Sequence, residues 1–501
     1  MVIKDERQSS IFTITIKREK VEQIPTLEVP LVFSDKQSVY EYLDPVNGII
    51  KYGPYDINTS DKHLSRKFRG VELFVFYPKN EEIVYKTLND LIYILREGYF
   101  ERRGSHDISF RGFENEFRLK FFMPENKEFI SYVPGNLRKE LESRKNNFTQ
   151  VFERENRPIV IVGGTSHRSI VKNREQYLES KLQFTNLDLP CQYASYYEYE
   201  TGGAGILYNA LRKNRPLGYS LWNLALNIYG KVGGLAWVIR QGLSKVGQVI
   251  DLSIGIRFVP SRVQRGFIIG YLTILDSFGR LVGVVSSPPF KVQVEKEVAG
   301  MVVPKEVMEN IVLEALKKAG SDVRVKEIFT EKETINIAFH RLSIFHPQEI
   351  RGIVSAIDKC HRSGKMKIEY ALIPIIDKPP TLVFNKLAEN WNALRGTAIR
   401  LDDRVAILYT AGTTRTTDRS ALSYPITVIA QNLAEENCPF TSLEEVCHHV
   451  YSLTNLHWQT VIPGSVRLPA TLEFAQNIAN LASFKILPKE DSWLWHTLWF
   501  V

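Results

Sequence analysis

Cysteine and long apolar runs are both scarce in this 501-residue sequence. The four cysteines, Cys191, Cys360, Cys438 and Cys447, form no C-x-x-C pair, which argues against a disulfide framework and favours a reducing compartment. The N-terminal segment lacks the apolar core of a signal peptide, and no later segment has the uninterrupted apolar length of a membrane span. We therefore expect a cytoplasmic protein.

A large charge of one sign is also missing, because 64 Lys and Arg residues face 56 Asp and Glu residues for a net charge of +8. This excess permits a polyanionic partner without requiring one. With 44% hydrophobic and 24% charged residues, the composition is that of a globular protein rather than a disordered or fibrous one. At roughly 100 to 200 residues per domain, the length predicts two to four domains.

Alternating strand and helix patterns organise the first half of the chain. The apolar run at residues 71–78 predicts a buried strand, and a helical pattern follows at residues 81–95. A second buried strand at residues 158–162 ends in a glycine turn that leads into a predicted helix at residues 167–184. This order predicts an open α/β sheet in a domain over residues 56–240.

The second half begins with three strands that read as an antiparallel meander, from about residue 250 to residue 287. Helices with an apolar stripe then alternate with strands, starting with the helix that Gly320 ends. This order is typical of a ribonuclease-H-like domain, which we place at residues 241–501. The predicted fold class is α/β, with a Rossmann-like domain and a ribonuclease-H-like domain.

A set of hydrogen-bond donors in the first domain is suited to a terminal phosphate. One pair and one run of three residues have i, i+4 spacing on predicted helices, so the side chains of each group lie on one face. Taken one at a time, each residue has an alternative interpretation as an exposed helix residue. The set comprises Tyr177, Lys181, Gln192, Asn223, Asn227 and Lys231.

The order of these residues resembles the MID domain of Argonaute proteins, in which Y-x-x-x-K, a later Gln and an amide-x-x-x-Lys form the pocket for the guide 5′ phosphate. The resemblance implies that Tyr177 contacts the first nucleotide, while Lys181, Gln192 and Lys231 hold the phosphate. It also implies that the C-terminal carboxylate of Val501 reaches this pocket and helps to bind a structural Mg²⁺. Asn227 stands where the family usually has Gln, and would be a second metal ligand.

The region from about residue 245 to residue 501 resembles the PIWI domain, whose active members cleave with an acidic tetrad that binds two metal ions. At three of the tetrad positions this sequence has Arg257, Leu342 and Gln476. The resemblance therefore implies an inactive nuclease fold, so the chain is not expected to be an enzyme. Asp251 and Asp276 are nearby acidic alternatives, although a surface or turn position is the favoured explanation for each of them.

Four arginines lie where PIWI domains follow the guide and target backbones, and the alternative for each is a solvated surface position. They are Arg400, Arg415, Arg419 and Arg467.

The chain lacks room for the N and PAZ domains ahead of MID, and so it is similar to a short prokaryotic Argonaute of archaeal type. The resemblance implies that residues 1–55 pair with the PIWI sheet. It further implies a guide RNA, a complementary target DNA, and an APAZ-containing partner with an effector of TIR-type, sirtuin-like, nuclease or membrane-disrupting kind, acting in antiviral defence. Two alternatives remain open: a stand-alone guide-directed endonuclease with a non-standard metal site, and a nucleic-acid-binding scaffold that uses no guide.

Overall fold

The structure is a computed structural model that describes residues 22–25, 27–34, 39–42, 44–59, 62–103, 106–125, 128–166, 170–195, 206, 217–239, 250–262, 264–291, 302–362, 367–377, 379, 382, 393–412, 424–462 and 466–501. Arg415 and Arg419 lie outside these residues, as do residues 1–21. Among the described residues, no helix is both long enough and apolar enough to cross a membrane.

Strands and helices are numbered along the chain. The strands are β1 (Glu22–Ile24), β2 (Leu31–Ser34), β3 (Val39–Tyr42), β4 (Gly70–Pro78), β5 (Tyr99–Arg103), β6 (His106–Phe110), β7 (Lys120–Phe122), β8 (Ile130–Tyr132), β9 (Asn156–Gly163), β10 (Cys191–Ala194), β11 (Val238–Ile239), β12 (Leu252–Pro260), β13 (Phe267–Asp276), β14 (Leu281–Ser286), β15 (Phe290–Lys291), β16 (Thr334–Arg341), β17 (Lys367–Ile376), β18 (Ala398–Asp402), β19 (Val405–Leu408) and β20 (Ile426–Ile429). The helices are α1 (Pro45–Tyr52), α2 (Glu82–Glu97), α3 (Phe113–Phe117), α4 (Leu137–Glu142), α5 (Lys145–Glu153), α6 (Ile170–Asn186), α7 (Gly218–Lys231), α8 (Lys305–Ser321), α9 (Lys326–Glu331), α10 (Pro347–Arg362), α11 (Leu443–Leu453) and α12 (Ala470–Ala482). Two short 3-10 helices cover Tyr55–Ile57 and Trp493–His496.

The described residues form two compact units. The first unit comprises Val32–Trp237, Trp458–Val461 and Phe484–Val501. The second comprises the described residues of Met1–Leu31 together with Val238–His457 and Ile462–Ser483. These units differ from the expected domains, because residues 484–501 belong to the first unit and not to the predicted domain over residues 241–501. Residues 32–34, 39–42 and 44–55 also belong to the first unit, so the expected pairing of residues 1–55 with the sheet of the second unit is seen, among the described residues, for β1 alone.

A parallel sheet in the order β10-β9-β4-β7 is the centre of the first unit, and β8 also pairs with β4. The strand β4 is nearly continuously apolar because it has parallel neighbours on both sides and helices above its faces. The helix α2 follows it and buries the stripe Val84, Leu88, Leu91 and Leu95, as the sequence pattern predicted.

A sheet in the order β1-β18-β19-β20-β17-β16-β12-β13-β14 is the centre of the second unit. The antiparallel meander β12-β13-β14 continues into parallel pairs of β12 with β16 and of β16 with β17. The strand β1 pairs antiparallel with β18. This is the predicted ribonuclease-H-like order of strands.

Helix α12 packs closely on β12 because the strand has a glycine at the contact. A Cβ atom on Gly255 would lie 2.3 Å from the carbonyl oxygen of Thr471. The hydroxyl of Thr273 on β13 donates to the same oxygen at 2.6 Å. Glycine is therefore needed here for close approach of the two backbones, which the sequence pattern did not reveal.

Candidate functional site

Two buried lysines of the first unit lie side by side. Lys181 on α6 and Lys231 on α7 are each only 1% exposed. The Nζ atom of Lys181 donates to the main-chain oxygens of Trp499 at 2.7 Å and of Val501 at 2.9 Å. Lys231 donates to the side-chain oxygen of Gln192 on β10. The lysines, the glutamine and the last residues of the chain thus meet in one place.

The positive charge at this place is poorly compensated. Burial lowers the pKa of Lys181, and burial together with the neighbouring charge of Lys181 holds the pKa of Lys231 well below its usual range. Among the described residues, no acidic side chain forms an ion pair with either lysine. Removing ammonium groups from water costs free energy unless an opposite charge compensates them. An anionic ligand would supply that charge, and would restore the pKa values of both lysines.

A buried thiol lies beside the same two lysines. Burial raises the pKa of Cys191, although the positive charges of Lys181 and Lys231 oppose this shift. A thiol with a raised pKa stays protonated and is a poor nucleophile or metal ligand. We therefore assign Cys191 to the wall of the site and not to its chemistry.

An aromatic pair forms another wall. The rings of Tyr177 on α6 and Tyr193 on β10 pack edge to face with centroids 5.9 Å apart, and the Lys181 Nζ lies 5.8 Å from the Tyr177 ring. The Tyr193 hydroxyl donates to Gln176 Oε1 at 3.1 Å, which also accepts from the Thr165 amide at 2.8 Å. Tyr193 and Gln176 were not predicted from the sequence, although they are the chain neighbours of Gln192 and Tyr177.

The two asparagines of α7 contact a different segment. Asn223 Oδ1 accepts from the Val461 amide at 2.8 Å, and Asn227 Nδ2 donates to the Gln459 carbonyl at 3.4 Å. The Oδ1 atom of Asn227 is buried and has no hydrogen-bond partner among the residues that the structure describes. Although the i, i+4 spacing places these residues in line with Lys231, their hydrogen bonds are with the segment Trp458–Val461.

The resemblance assigns Arg257, Leu342 and Gln476 of the second unit to the nuclease positions. In the parallel register of β12 and β16, Ile256 pairs with Arg341. Arg257, inside β12, and Leu342, the first residue after β16, each follow one member of this pair. Gln476 lies on α12, the helix that packs on β12.

The two alternative carboxylates have structural partners. Asp251 Oδ2 accepts from the Asn336 amide at 2.9 Å, and its other oxygen pairs with Lys332. Asp276 closes the turn after β13, where it accepts from the Arg280 amide at 2.8 Å and from the Arg280 guanidinium. Within the described parts of the chain, no group of three His, Cys, Asp or Glu side chains has an arrangement suited to a metal ion.

Two of the four predicted backbone-contacting arginines lie within the described residues, and both form ion pairs. Arg400 on β18 pairs with Glu444, and Arg467 pairs with Asp377. Each would have to exchange a carboxylate for a phosphate in order to contact a nucleic-acid backbone. The contact role of these residues, and of Arg415 and Arg419, stays a prediction.

The fold is shared with Argonaute proteins. The structure of Clostridium butyricum Argonaute bound to a guide DNA and a 19-mer target DNA matches 95% of this chain with a TM-score of 0.63 and 18% identity, over 55% of its own length. Drosophila Piwi matches 96% of this chain with a TM-score of 0.58 and 14% identity, over 56% of its own length. Marinitoga piezophila Argonaute in complex with a 5′ OH guide RNA and target DNA matches 95%, with a TM-score of 0.55 and 13% identity, over 60% of its length.

No protein-family model matches the sequence, and no curated protein is significantly similar to it. The chain spans a little over half the length of the solved structures that it matches. Its fold is that of the Rossmann-like MID and ribonuclease-H-like PIWI domains of Argonautes.

Proposed function

We propose that this chain binds the 5′-phosphorylated end of a short guide nucleic acid at Lys181, Lys231 and Gln192, and uses the guide to recognise complementary foreign nucleic acid. The observation that carries this proposal is the pair of buried lysines next to an aromatic ring, which meet no acidic side chain among the described residues and have one anionic group in contact, the terminal carboxylate of Val501. Phosphate oxygens complement such donors, and a ring such as that of Tyr177 provides a stacking surface for a base. Base pairing then supplies the sequence specificity, while the protein contacts the backbone.

The proposed guide is RNA and the proposed target is DNA. One matched Argonaute is bound to a guide DNA and another to a guide RNA with target DNA, so the fold accommodates both kinds of guide. The residues of the phosphate site act on the phosphate and do not depend on the sugar. The choice of RNA therefore rests on the resemblance to short prokaryotic Argonautes, and the copurification experiment below tests it.

We also propose a structural Mg²⁺ at the guide 5′ phosphate, with Asn227 as a candidate oxygen ligand. Magnesium prefers oxygen ligands, and the unpartnered, buried Oδ1 of Asn227 is such an oxygen. Asn227 and the terminal residue Val501 are the groups that would hold it. When bound, the cation would offset negative charge on the phosphate, while the lysines supply hydrogen bonds.

We further propose that the chain does not cleave the target itself. Arg257, Leu342 and Gln476 supply no carboxylate at the positions where the resemblance expects metal ligands. A hard cation needs anionic oxygen ligands, and the arginine would repel it. Asp251 and Asp276 are engaged in ion pairs and turn hydrogen bonds, which leaves them poorly suited to replace the missing groups.

Purification of the chain from its natural host provides a direct test. We expect the copurified nucleic acid to be RNA of narrow length distribution with 5′ phosphates, which labelling before and after phosphatase treatment would show. The Lys181→Ala/Lys231→Ala double variant, purified in parallel, should lose this material. A broad smear that is equal in both preparations would favour a scaffold that uses no guide.

The proposed consequence of target recognition is activation of a separately encoded effector. The chain matches a little over half the length of each solved Argonaute, and we propose that a separate protein supplies the functions of the remaining half. An APAZ-containing partner with a TIR-type, sirtuin-like, nuclease or membrane-disrupting effector is the source that the resemblance implies. The residues that carry out the effector reaction would lie on the partner chain. The type of effector is therefore determined from the partner and not from this sequence.

Coexpression tests the partner proposal. We expect the product of the neighbouring gene to copurify with the tagged chain, and cells expressing both to lose viability when a plasmid or virus is present. The Lys181→Ala/Lys231→Ala variant coexpressed with the same partner is the matched control, and it should leave viability unchanged. A chain that protects cells without any neighbouring product would contradict this part of the proposal.

A further inference from the structure

A buried carboxylate binds the end of the helix that carries Lys231. Asp56 is 1% exposed, and one of its oxygens accepts from the Tyr229 hydroxyl while the other accepts from the Leu235 amide at 2.9 Å. Arg66 completes the group, because its guanidinium donates to the Tyr229 hydroxyl at 3.2 Å and to the Phe117 carbonyl at 3.1 Å. The three side chains therefore form one hydrogen-bonded network.

The two anchor points of this network flank Lys231. Tyr229 precedes the lysine on α7, and Leu235 follows it in the segment after the helix. The segment turns sharply between them, since Gly233 has φ of +91° and the Gly234 amide donates to the Tyr229 carbonyl at 2.9 Å. A displacement of either anchor would move the end of the helix, and with it the amino group of Lys231.

Stability does not explain why an ionised group is buried here. Burial raises the pKa of Asp56 to about 6, against the opposing effects of Arg66, Tyr229 and the Leu235 amide. A carboxyl group with a raised pKa favours folding in its protonated form, so its stabilising contribution is present below pH 3.8 and is lost as the pH rises through about 6. At neutral pH the carboxylate thus costs folding free energy. Buried polar groups of this kind can be retained because they fix one geometry.

We propose that Asp56, Tyr229 and Arg66 form a positioning network that fixes the amino group of Lys231 for a phosphate ligand. The inference rests on the proposed function. None of the three residues contacts the ligand. They act through the backbone of residues 229–235, and none of them was identified from the sequence.

The experiment measures the affinity of the full chain for two guides that differ only in a 5′ phosphate or a 5′ hydroxyl, at fixed salt. Tyr229→Phe removes only the hydroxyl that joins Asp56 to Arg66. A hydrogen bond to a charged group contributes more free energy than a neutral one, but only part of it reaches Lys231 through the backbone, so we expect the preference for the phosphate guide to fall by roughly 2- to 10-fold. Asp56→Ala should lower it at least as much, and Asp56→Asn should restore part of it because the amide oxygen can still accept from Leu235.

Thr87→Val is the matched control. It removes another buried hydroxyl of the same unit, which donates to the Ile83 carbonyl within α2, so the phosphate preference should equal that of the natural protein. Equal losses of affinity for both guides, with the preference unchanged, would show that the network serves folding and not positioning. If Asp56→Ala does not fold, Tyr229→Phe decides the question.

Failure of the proposed function gives a different result. If the natural protein does not prefer the phosphate guide, the phosphate site itself is wrong and the positioning role falls with it. If Lys231→Ala loses the preference while Tyr229→Phe and Asp56→Ala keep it, only the positioning network is wrong.

Discussion

Replacing Lys181 or Lys231 with alanine should abolish most of the preference of this chain for a guide with a 5′ phosphate. A hydrogen bond to a charged group contributes roughly 1.5 to 3 kcal/mol, so each substitution should weaken binding of the phosphate guide by roughly 10- to 150-fold. Binding of a 5′-hydroxyl guide should change much less, because it presents no phosphate to the lysines. Titration of both guides at one salt concentration measures the effect, since affinity for nucleic acid depends steeply on salt.

The two lysines are not equivalent in this test. Lys181 also donates to the main-chain oxygens of Trp499 and Val501, so its loss frees the last residues of the chain. Lys231 has its contacts with Gln192 and with the amino group of Lys181. Lys231→Ala is therefore the cleaner probe of phosphate binding. Exposed Lys172→Ala on the same helix as Lys181 serves as the charge-matched control, and an equal loss there would indicate a nonspecific charge effect.

Incubation with guide, complementary target and Mg²⁺ or Mn²⁺ should leave the target strand intact. Two-metal cleavage requires carboxylates that hold both cations, and the expected positions carry Arg257, Leu342 and Gln476. We expect turnover indistinguishable from the reaction without protein, as measured on a denaturing gel over many hours. A cleavage-competent Argonaute assayed with the same substrates is the control, and a binding assay must show that the target is held.

A single cut opposite the guide would contradict this expectation and favour the stand-alone nuclease. Asp251→Asn and Asp276→Asn would then locate the metal site, because these are the nearby carboxylates that the sequence offers as substitutes. Their present partners, Lys332 and Arg280, would have to release them before either could bind a cation.

Local patterns were enough to predict the elements and the order in which they occur. The continuous apolar run of β4 indicates a strand that is buried on both faces. The 3.6-residue stripe of α2 indicates which face of the helix packs on the core. The meander β12-β13-β14 followed by alternating helices and strands likewise predicted the ribonuclease-H-like sheet. The spacing of Tyr177 and Lys181 placed both residues on one helix, and the structure has them on α6.

The convergence of Lys181, Gln192 and Lys231 was expected only through the resemblance. These residues come from three elements, α6, β10 and α7, and no local period relates one element to another. The near-complete burial of the lysines also could not be read from the sequence, since lysines on amphipathic helices are usually exposed.

Long-range packing determined the remaining features of the site. Asp56 lies far from Lys231 in the sequence. Residues 484–501 belong to the first unit, although residues 238–457 of the second unit lie between them and most of the first unit along the chain. Trp493 shows the physical reason, because its indole donates to the Asp188 carbonyl at 3.0 Å and its ring packs under Arg157 at 4.6 Å. Large aromatic residues such as Trp493 favour packed positions. The surface that covers them depends on contacts between distant parts of the chain, and those are set by the tertiary fold.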